Sequence, residues 1–141
     1  MIRIAMLPAA IAATLALTAC EPSGASSASG ANIPTGPYVL VGIGSDTVPQ
    51  RNIGLTINAD GSVSGKAPCN TYSAPQTAEP PGFALGPMVT TRMACGGANG
   101  RLETRYLAAL SAATGIGYEG GVLTITGPTY LTFEPGYRKE K

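Results

Sequence analysis

Three patterns of hydrophobic and polar positions follow one another along the chain. Residues 4–16 form an uncharged, mostly apolar run behind Arg3. It is too short to cross a bilayer as a helix, and Pro8 in its middle argues further against a permanent membrane span. Residues 21–35 read EPSGASSASGANIPT, with one charge and one large apolar side chain, Ile33. Such a stretch cannot bury enough apolar surface to order itself. From residue 36 onward a period of two takes over. Residues 38–43 are β-rich behind Gly36-Pro37, and Ile53, Leu55 and Ile57 alternate with small or polar residues as in a half-buried strand. Asn58-Ala59-Asp60-Gly61 predicts a tight turn, with Gly61 free to take a positive φ, and residues 62–65 return as the hairpin partner. Residues 83–85 form a shorter strand candidate.

The period changes once, over residues 99–113. Leu102, Tyr106, Ala109, Leu110 and Ala113 fall on one helical face, while Arg101, Glu103, Thr104, Arg105 and Ser111 mostly point away. Asn99 is the expected N-cap and Gly115 the expected stop. Residues 115–119, 122–126 and 130–133, separated by Gly120-Gly121 and Gly127-Pro128, predict a three-strand meander. Strands, one helix, then strands give an α+β class: one helix packed on a strongly bent antiparallel β-sheet or partial barrel.

The leading run ends in Leu17-Thr18-Ala19-Cys20, which resembles a bacterial lipobox. Small residues before the cysteine let the chain enter a signal-peptidase cleft extended. The thiol of Cys20 would take a diacylglyceryl group, and several acyl chains at about 0.8 kcal/mol per buried CH₂ make a stable anchor. The competing readings are an ordinary secretory peptide with a chance cysteine after it, and a buried N-terminal helix of the fold. On the lipobox reading, residues 1–19 are a lipoprotein signal peptide and residues 20–35 a lipidated cysteine with a flexible tether spanning on the order of 20 Å. Residues 36–134 are then the folded domain, and residues 135–141 (PGYRKEK) a disordered tail. The expected location is the bacterial cell envelope, held to the membrane by lipid and facing the periplasm. Glu21, where an Asp would mark inner-membrane retention, favours the outer membrane.

Composition narrows the chemistry. The 141 residues carry 9 Lys and Arg against 8 Asp and Glu, with no His and no Trp, and only 12% are charged. Loss of residues 1–19 removes Arg3 and leaves 122 formally neutral residues. No polycationic surface is expected for nucleic acid. Without His there is no Ser–His–Asp or Cys–His catalysis and no His-ligated metal. The acids are scattered, and the Gly clusters at residues 42–44 and 96–100 fit no dinucleotide fingerprint. Lys66, the basic group near Ser62 and Ser64, reads as solvated surface. No catalytic residue, metal or cofactor is expected. With Cys20 lipidated, Cys69 and Cys95 form an even pair in an oxidising compartment. A disulfide closing about 27 residues would contribute about 3.5 kcal/mol; the alternatives are two buried free thiols or, less suited by spacing, a metal or redox pair. Arg92 is either a solvent-facing strand residue or a candidate recognition residue on a constrained loop.

Three segments carry a resemblance: Gly61-Ser62-Val63-Ser64-Gly65, then Cys69-Asn70-Thr71-Tyr72, then Thr91-Arg92-Met93-Ala94-Cys95. Together they resemble the META-domain family of HslJ-like envelope lipoproteins. A Glu and an aromatic on the family's helix are matched by Glu103 and Tyr106, and its closing strand pair by residues 122–125 and 130–133. Tyr38 stands where the family usually has Trp, and Pro68 where it has Gly. The resemblance implies a small α+β domain linked with stress responses and no established activity or cofactor, so Cys69, Asn70, Tyr72, Thr91, Met93 and Cys95 carry over as fold-motif residues alone. The expected partners are the membrane, through the lipid, and an unidentified envelope protein. Two other readings remain: a periplasmic inhibitor of a protease or lysozyme presenting residues 90–92 or 77–81, and a hydrolase with converging acids.

Overall fold

A computed structural model describes residues 32–136. The apolar leader, Cys20, Glu21, most of the expected tether and residues 137–141 of the expected tail lie outside the described residues. The chain runs β1 (Gly36–Ile43), β2 (Asp46–Thr47), β3 (Gly54–Ile57), β4 (Val63–Lys66), β5 (Thr71–Ala74), β6 (Val89–Thr90), α1 (Gly97–Ala112), β7 (Gly115–Glu119), β8 (Val122–Thr126) and β9 (Leu131–Pro135). All nine strands belong to one antiparallel sheet in the order β6-β5-β4-β3-β1-β9-β8-β7, with β2 added to β1.

The predicted β3–β4 hairpin is present, in the register Leu55↔Gly65 and Ile57↔Val63. Its turn closes as the sequence demands. The Asn58 amide donates to the Ser62 carbonyl, Asp60 accepts from the backbone and hydroxyl of Ser62, and Gly61 takes φ +85. The meander β7–β8–β9 is also present, turning at Gly120 and Gly121 with φ +58 and +81. β9 reaches Pro135, one residue into the expected tail, and the Gly136 amide donates to the Pro37 carbonyl.

The sheet is strongly bent around α1. The ring of Tyr106 on α1 lies 5.8 Å from Tyr72 on β5 and 6.3 Å from Phe133 on β9. Four strand steps separate β5 from β9, about 19 Å in a flat sheet. Both strands can reach one tyrosine only if the sheet curls over the helix. The shift in register between Leu40 and Gly42 of β1 contributes to the bend. The concave face holds the core, in which Leu40, Leu55, Leu110, Leu123, Ile125, Leu131, Phe133 and Tyr106 are fully buried. Tyr38, in the position of the family's usual Trp, is buried too, with its hydroxyl donating to the Pro34 carbonyl.

The curl does not close into a barrel. Instead, residues 75–86 leave β5, fold back on themselves and swing to β7 before β6 begins. The Ile116 amide donates to Pro81 and the Phe83 amide to Thr114, so this strap covers the first half of the β7 edge and drives Phe83 into the core.

Two local expectations need correction. Residues 83–85 are not a strand, and Leu85 makes only an isolated bridge to Gln76. The Gln76 side chain takes the place of a ladder, accepting from the Ala84 amide at 2.8 Å and donating to the Gly82 carbonyl at 3.2 Å. The helix begins at Gly97, not after Asn99, with Gly96 as an N-cap that offers no side chain, and Gly115 starts β7. Gly97, at φ +64, allows the sharp entry, and Gly100 lets the first turn lie against the Cys95 carbonyl, where a Cβ would collide. At the other end, the Ala113 amide still bonds the Leu110 carbonyl, and the chain passes directly into the sheet.

Gly65 provides a test of the packing. A Cβ there would meet the Gly54 carbonyl and come within 2.7 Å of the Tyr72 hydroxyl. Gly65→Ala should therefore cost about 1–3 kcal/mol in urea unfolding. Gly117, with open space around it, serves as the control: Gly117→Ala should be neutral or stabilise by up to about 1 kcal/mol.

Candidate functional site

The residues of the two cysteine segments meet where α1 crosses the β4–β5 corner. After Lys66 the chain turns sharply, the Ala67 amide donating to the Asn70 carbonyl at 2.8 Å. That turn aims two successive amides at the helix. Cys69 N–H and Asn70 N–H both donate to Glu103 Oε2, at 2.8 and 2.9 Å, and Asn70 Nδ2 donates to Oε1 at 2.5 Å. The other end of the Asn70 amide faces the segment after β6. Its Oδ1 accepts from Met93 N–H at 2.7 Å and from the Thr91 hydroxyl at 3.0 Å, while Nδ2 also reaches the Met93 carbonyl at 3.4 Å. Thr91 Oγ1 accepts in turn from Thr71 N–H.

One buried Asn thus joins a turn, a helix and an edge segment. Just below, Tyr72 donates to the Gly54 carbonyl at 3.1 Å, which leaves Tyr106 as donor in their 2.7 Å contact. Cys69 and Cys95 are linked by a disulfide with a Cα–Cα separation of 6.0 Å, tying the same turn to the residue before the helix. Among the described residues, no buried side-chain nitrogen or oxygen lacks a partner.

Glu103 is the residue that helical periodicity misplaces. Its position predicts a side chain turned away from the sheet, yet it is half-buried and central. The signal that points to it is the pairing with Tyr106 three residues on, in the resemblance. Met93 differs in another way: its side chain is 67% exposed, and only its backbone takes part. Arg92 is exposed and makes no ion pair, since the ion pairs among the described residues are Arg51–Glu134 and Arg105–Asp46. Residues 90–92 are held against β5 and Asn70 as an edge segment, not as a projecting loop. Residues 77–81 lie in the strap.

The electrostatics follow from the contacts. Burial, the largest single effect on Glu103, pushes its carboxyl up, but the hydrogen bonds from Asn70 Nδ2 and the Cys69 and Asn70 amides outweigh it and hold the pKa below the usual carboxylate value. A carboxylate with both oxygens occupied and a depressed pKa is suited to holding structure together, not to passing protons. The ligand-type atoms of Cys69, Cys95 and Glu103 lie within 4.8 Å of one another. The two sulfurs are spent on each other in the disulfide, and Glu103 on three donors, so in this state the trio offers no thiolate to a metal. Above it, a shallow groove of about 540 Å³ is lined by Cys95, Gly96, Gly97, Gly100, Arg101, Thr104 and Arg105.

The META domain family profile matches residues 31–135, almost the whole of the described chain. The chain belongs to the META domain family. No curated protein matches it. Its fold is similar to an NMR structure of a protein from Burkholderia xenovorans, with a TM-score of 0.61 at 24% identity, covering 74% of this chain and 83% of that one. A second NMR structure gives a TM-score of 0.59 at 16% identity, covering 75% and 93%. A crystal structure of a DUF4847 family protein from Bacteroides vulgatus gives 0.55 at 14% identity, covering 74% and 95%. These likenesses concern the fold. In this META domain, Cys69, Asn70, Tyr72, Cys95, Glu103 and Tyr106, which carry part of the resemblance, fasten α1 to the sheet.

Two measurements test the fastening. Glu103 contributes stability that is complete above the ordinary Glu range, about pH 4.3, and is lost as pH falls through its lowered folded value. Glu103→Gln should cost about 1.5–3 kcal/mol at pH 7, and the gap between variant and wild type should shrink toward acid pH in urea titrations. Asp60, also lowered by its bonds to Ser62, is unchanged in both proteins and drops out of the difference. Replacing Cys69 and Cys95 together by Ser should cost about 3.5 kcal/mol, measured the same way.

Proposed function

We propose that the protein is a lipid-anchored protein of the bacterial cell envelope whose META domain binds another envelope component without catalysis, in a stress-related role. The observation that carries the anchoring is the apolar run ending in Leu17-Thr18-Ala19-Cys20, twelve residues before the first described residue, Asn32. The intervening residues are Ser-, Ala- and Gly-rich, as a tether requires. Glu21 favours the outer membrane as the destination. Among the described residues, no helix is long and apolar enough to cross a membrane.

The non-catalytic reading is supported by how the polar groups of the motif are used. The Asn70 side chain uses its donors and acceptors on the fold, both Glu103 oxygens accept from it or from backbone amides, and Tyr72 and Tyr106 bond each other. A general acid or base needs a group free to exchange a proton with substrate near neutral pH, and Glu103 is instead held ionised well below it. Binding then falls to the exposed surface.

Cys20→Ser is the direct test of anchoring. The wild-type protein should sediment with the membrane fraction and label with radioactive palmitate. The variant should lose the label and appear in the soluble periplasmic fraction. Sedimentation that survives the substitution would sink the reading.

A further inference from the structure

The sheet has two ends, and they are finished differently. At β7 the strap supplies backbone partners to the first half of the edge. At β6, the last strand in the order, no further strand pairs among the described residues. The edge there is longer than its two-residue strand. Thr91 N–H donates to the Thr71 carbonyl at 3.0 Å, and the Met93 N–H and carbonyl both engage the Asn70 side chain. Val89 in the ladder, the Thr91 N–H and the Met93 N–H and carbonyl therefore turn inward, toward β5 and Asn70. In the β5–β6 ladder the N–H and C=O groups of Thr90 face outward, and the same alternation carried on to Met93 would place those of Arg92 outward, two residues on. This is the spacing at which an added strand makes its hydrogen bonds.

The side chains along the same edge alternate as well. Val89 shares the outer face with Ser73 and Thr71, and the Met93 side chain is exposed farther along the same segment. Val89 is 70% and Met93 67% exposed, the two most exposed large apolar side chains among the described residues. A depression of about 300 Å³ between Thr71, Tyr72, Ser73, Val89, Thr90 and Thr91 runs beside them. Thr90 and Arg92 project to the opposite face.

Lys66 and Arg92 are exposed beside this edge, and the Glu103 carboxylate lies behind it, bonded to Cys69 and Asn70. Between Asp60 and Glu103 the only acid is Glu79, in the strap, whereas Lys66, Arg92 and Arg101 all fall in this stretch. None of the three has a carboxylate partner among the described residues. Lys66 stands opposite Thr71 in the ladder and so close to Thr91.

We propose that the β6 edge receives an extended segment of a partner protein that alternates apolar and acidic residues. The added strand bonds the outward backbone groups of Thr90 and Arg92. Its apolar side chains cover Val89 and Met93, and its carboxylates meet Arg92 on the other face. The proposal rests on the reading of this domain as a non-catalytic binding module, and names the partner's chemistry and the edge it uses. The short strand and its small apolar pair give modest affinity in isolation; charge and pattern supply the selectivity.

The test uses the full-length protein in detergent micelles at low salt and a fluorescein-labelled ten-residue peptide of alternating Val and Glu, N-methylated along one edge so that it cannot stack on itself. Fluorescence anisotropy should show binding at least tenfold tighter than to the Val and Lys counterpart, and none to a peptide methylated on both edges. Arg92→Glu should weaken binding at least tenfold and turn the preference toward the Lys peptide. Val89→Ser with Met93→Ser should weaken it several-fold. These substitutions change exposed side chains, and an unchanged amide spectrum away from residues 89–93 verifies the fold. Equal binding of both peptides, affinity indifferent to Arg92→Glu, or shifts confined to β7 would overturn the assignment. Absence of peptide binding while Cys20→Ser releases the protein rejects the edge and leaves the anchoring intact; binding by a protein that Cys20→Ser does not release does the reverse.

Discussion

The carboxylate of Glu103 is the joint on which the two layers of this protein hang together. A single helix over a bent sheet buries its apolar face well, but apolar contact alone does not fix where along the sheet the helix sits. Glu103 fixes it by accepting two successive backbone amides and the side chain of Asn70. Those donors exist only because the chain between β4 and β5 makes the turn closed by the Ala67 amide and the Asn70 carbonyl. The Tyr72–Tyr106 hydroxyl pair repeats the arrangement deeper in the core. Helix, turn and sheet are thereby held in one register by directional bonds as well as by packing.

The disulfide acts on the same corner from the other side. Asn70 already binds the Thr91–Met93 segment, and Cys69–Cys95 binds the residues just before and after these contacts. Covalent and hydrogen-bonded constraints therefore converge on one segment that would otherwise have little apolar surface to hold it. Its large side chains, Val89 and Met93, face water. Order in this segment comes from polar and covalent ties at the backbone, and this frees its side chains from packing duty.

Much of the architecture is legible in the sequence because it rests on periodicity and turn chemistry. Leu55 and Ile57 with the Asn58–Gly61 turn specify the first hairpin, and Tyr106, Ala109 and Leu110 specify the buried face of the helix. What periodicity cannot register is a side chain standing in for backbone. Gln76 does this in the strap, and residues 83–85 are consequently bridged but not laddered. Asn70 does it beside β6, prolonging a two-residue strand through Met93. Glu103 escapes the helical pattern because its neighbours are peptide amides, which leave no mark in a hydrophobicity profile; it surfaces only through the motif it shares with Tyr106. The helix starts two residues before Asn99 for a related reason: Gly97 permits the entry by its positive φ, a backbone property that a hydrophobicity profile does not carry.

The strap that buries Phe83 has a consequence for assembly. In the language of polymer chemistry, a sheet with two open edges is a bifunctional monomer, able to add copies at both ends and grow into a fibre. Covering the start of β7 with Pro81 and Phe83 shortens one reactive end and leaves the other, at β6, open. A monofunctional unit can be capped once but cannot propagate. The strap thereby favours an exposed edge that takes one strand over one that starts a chain.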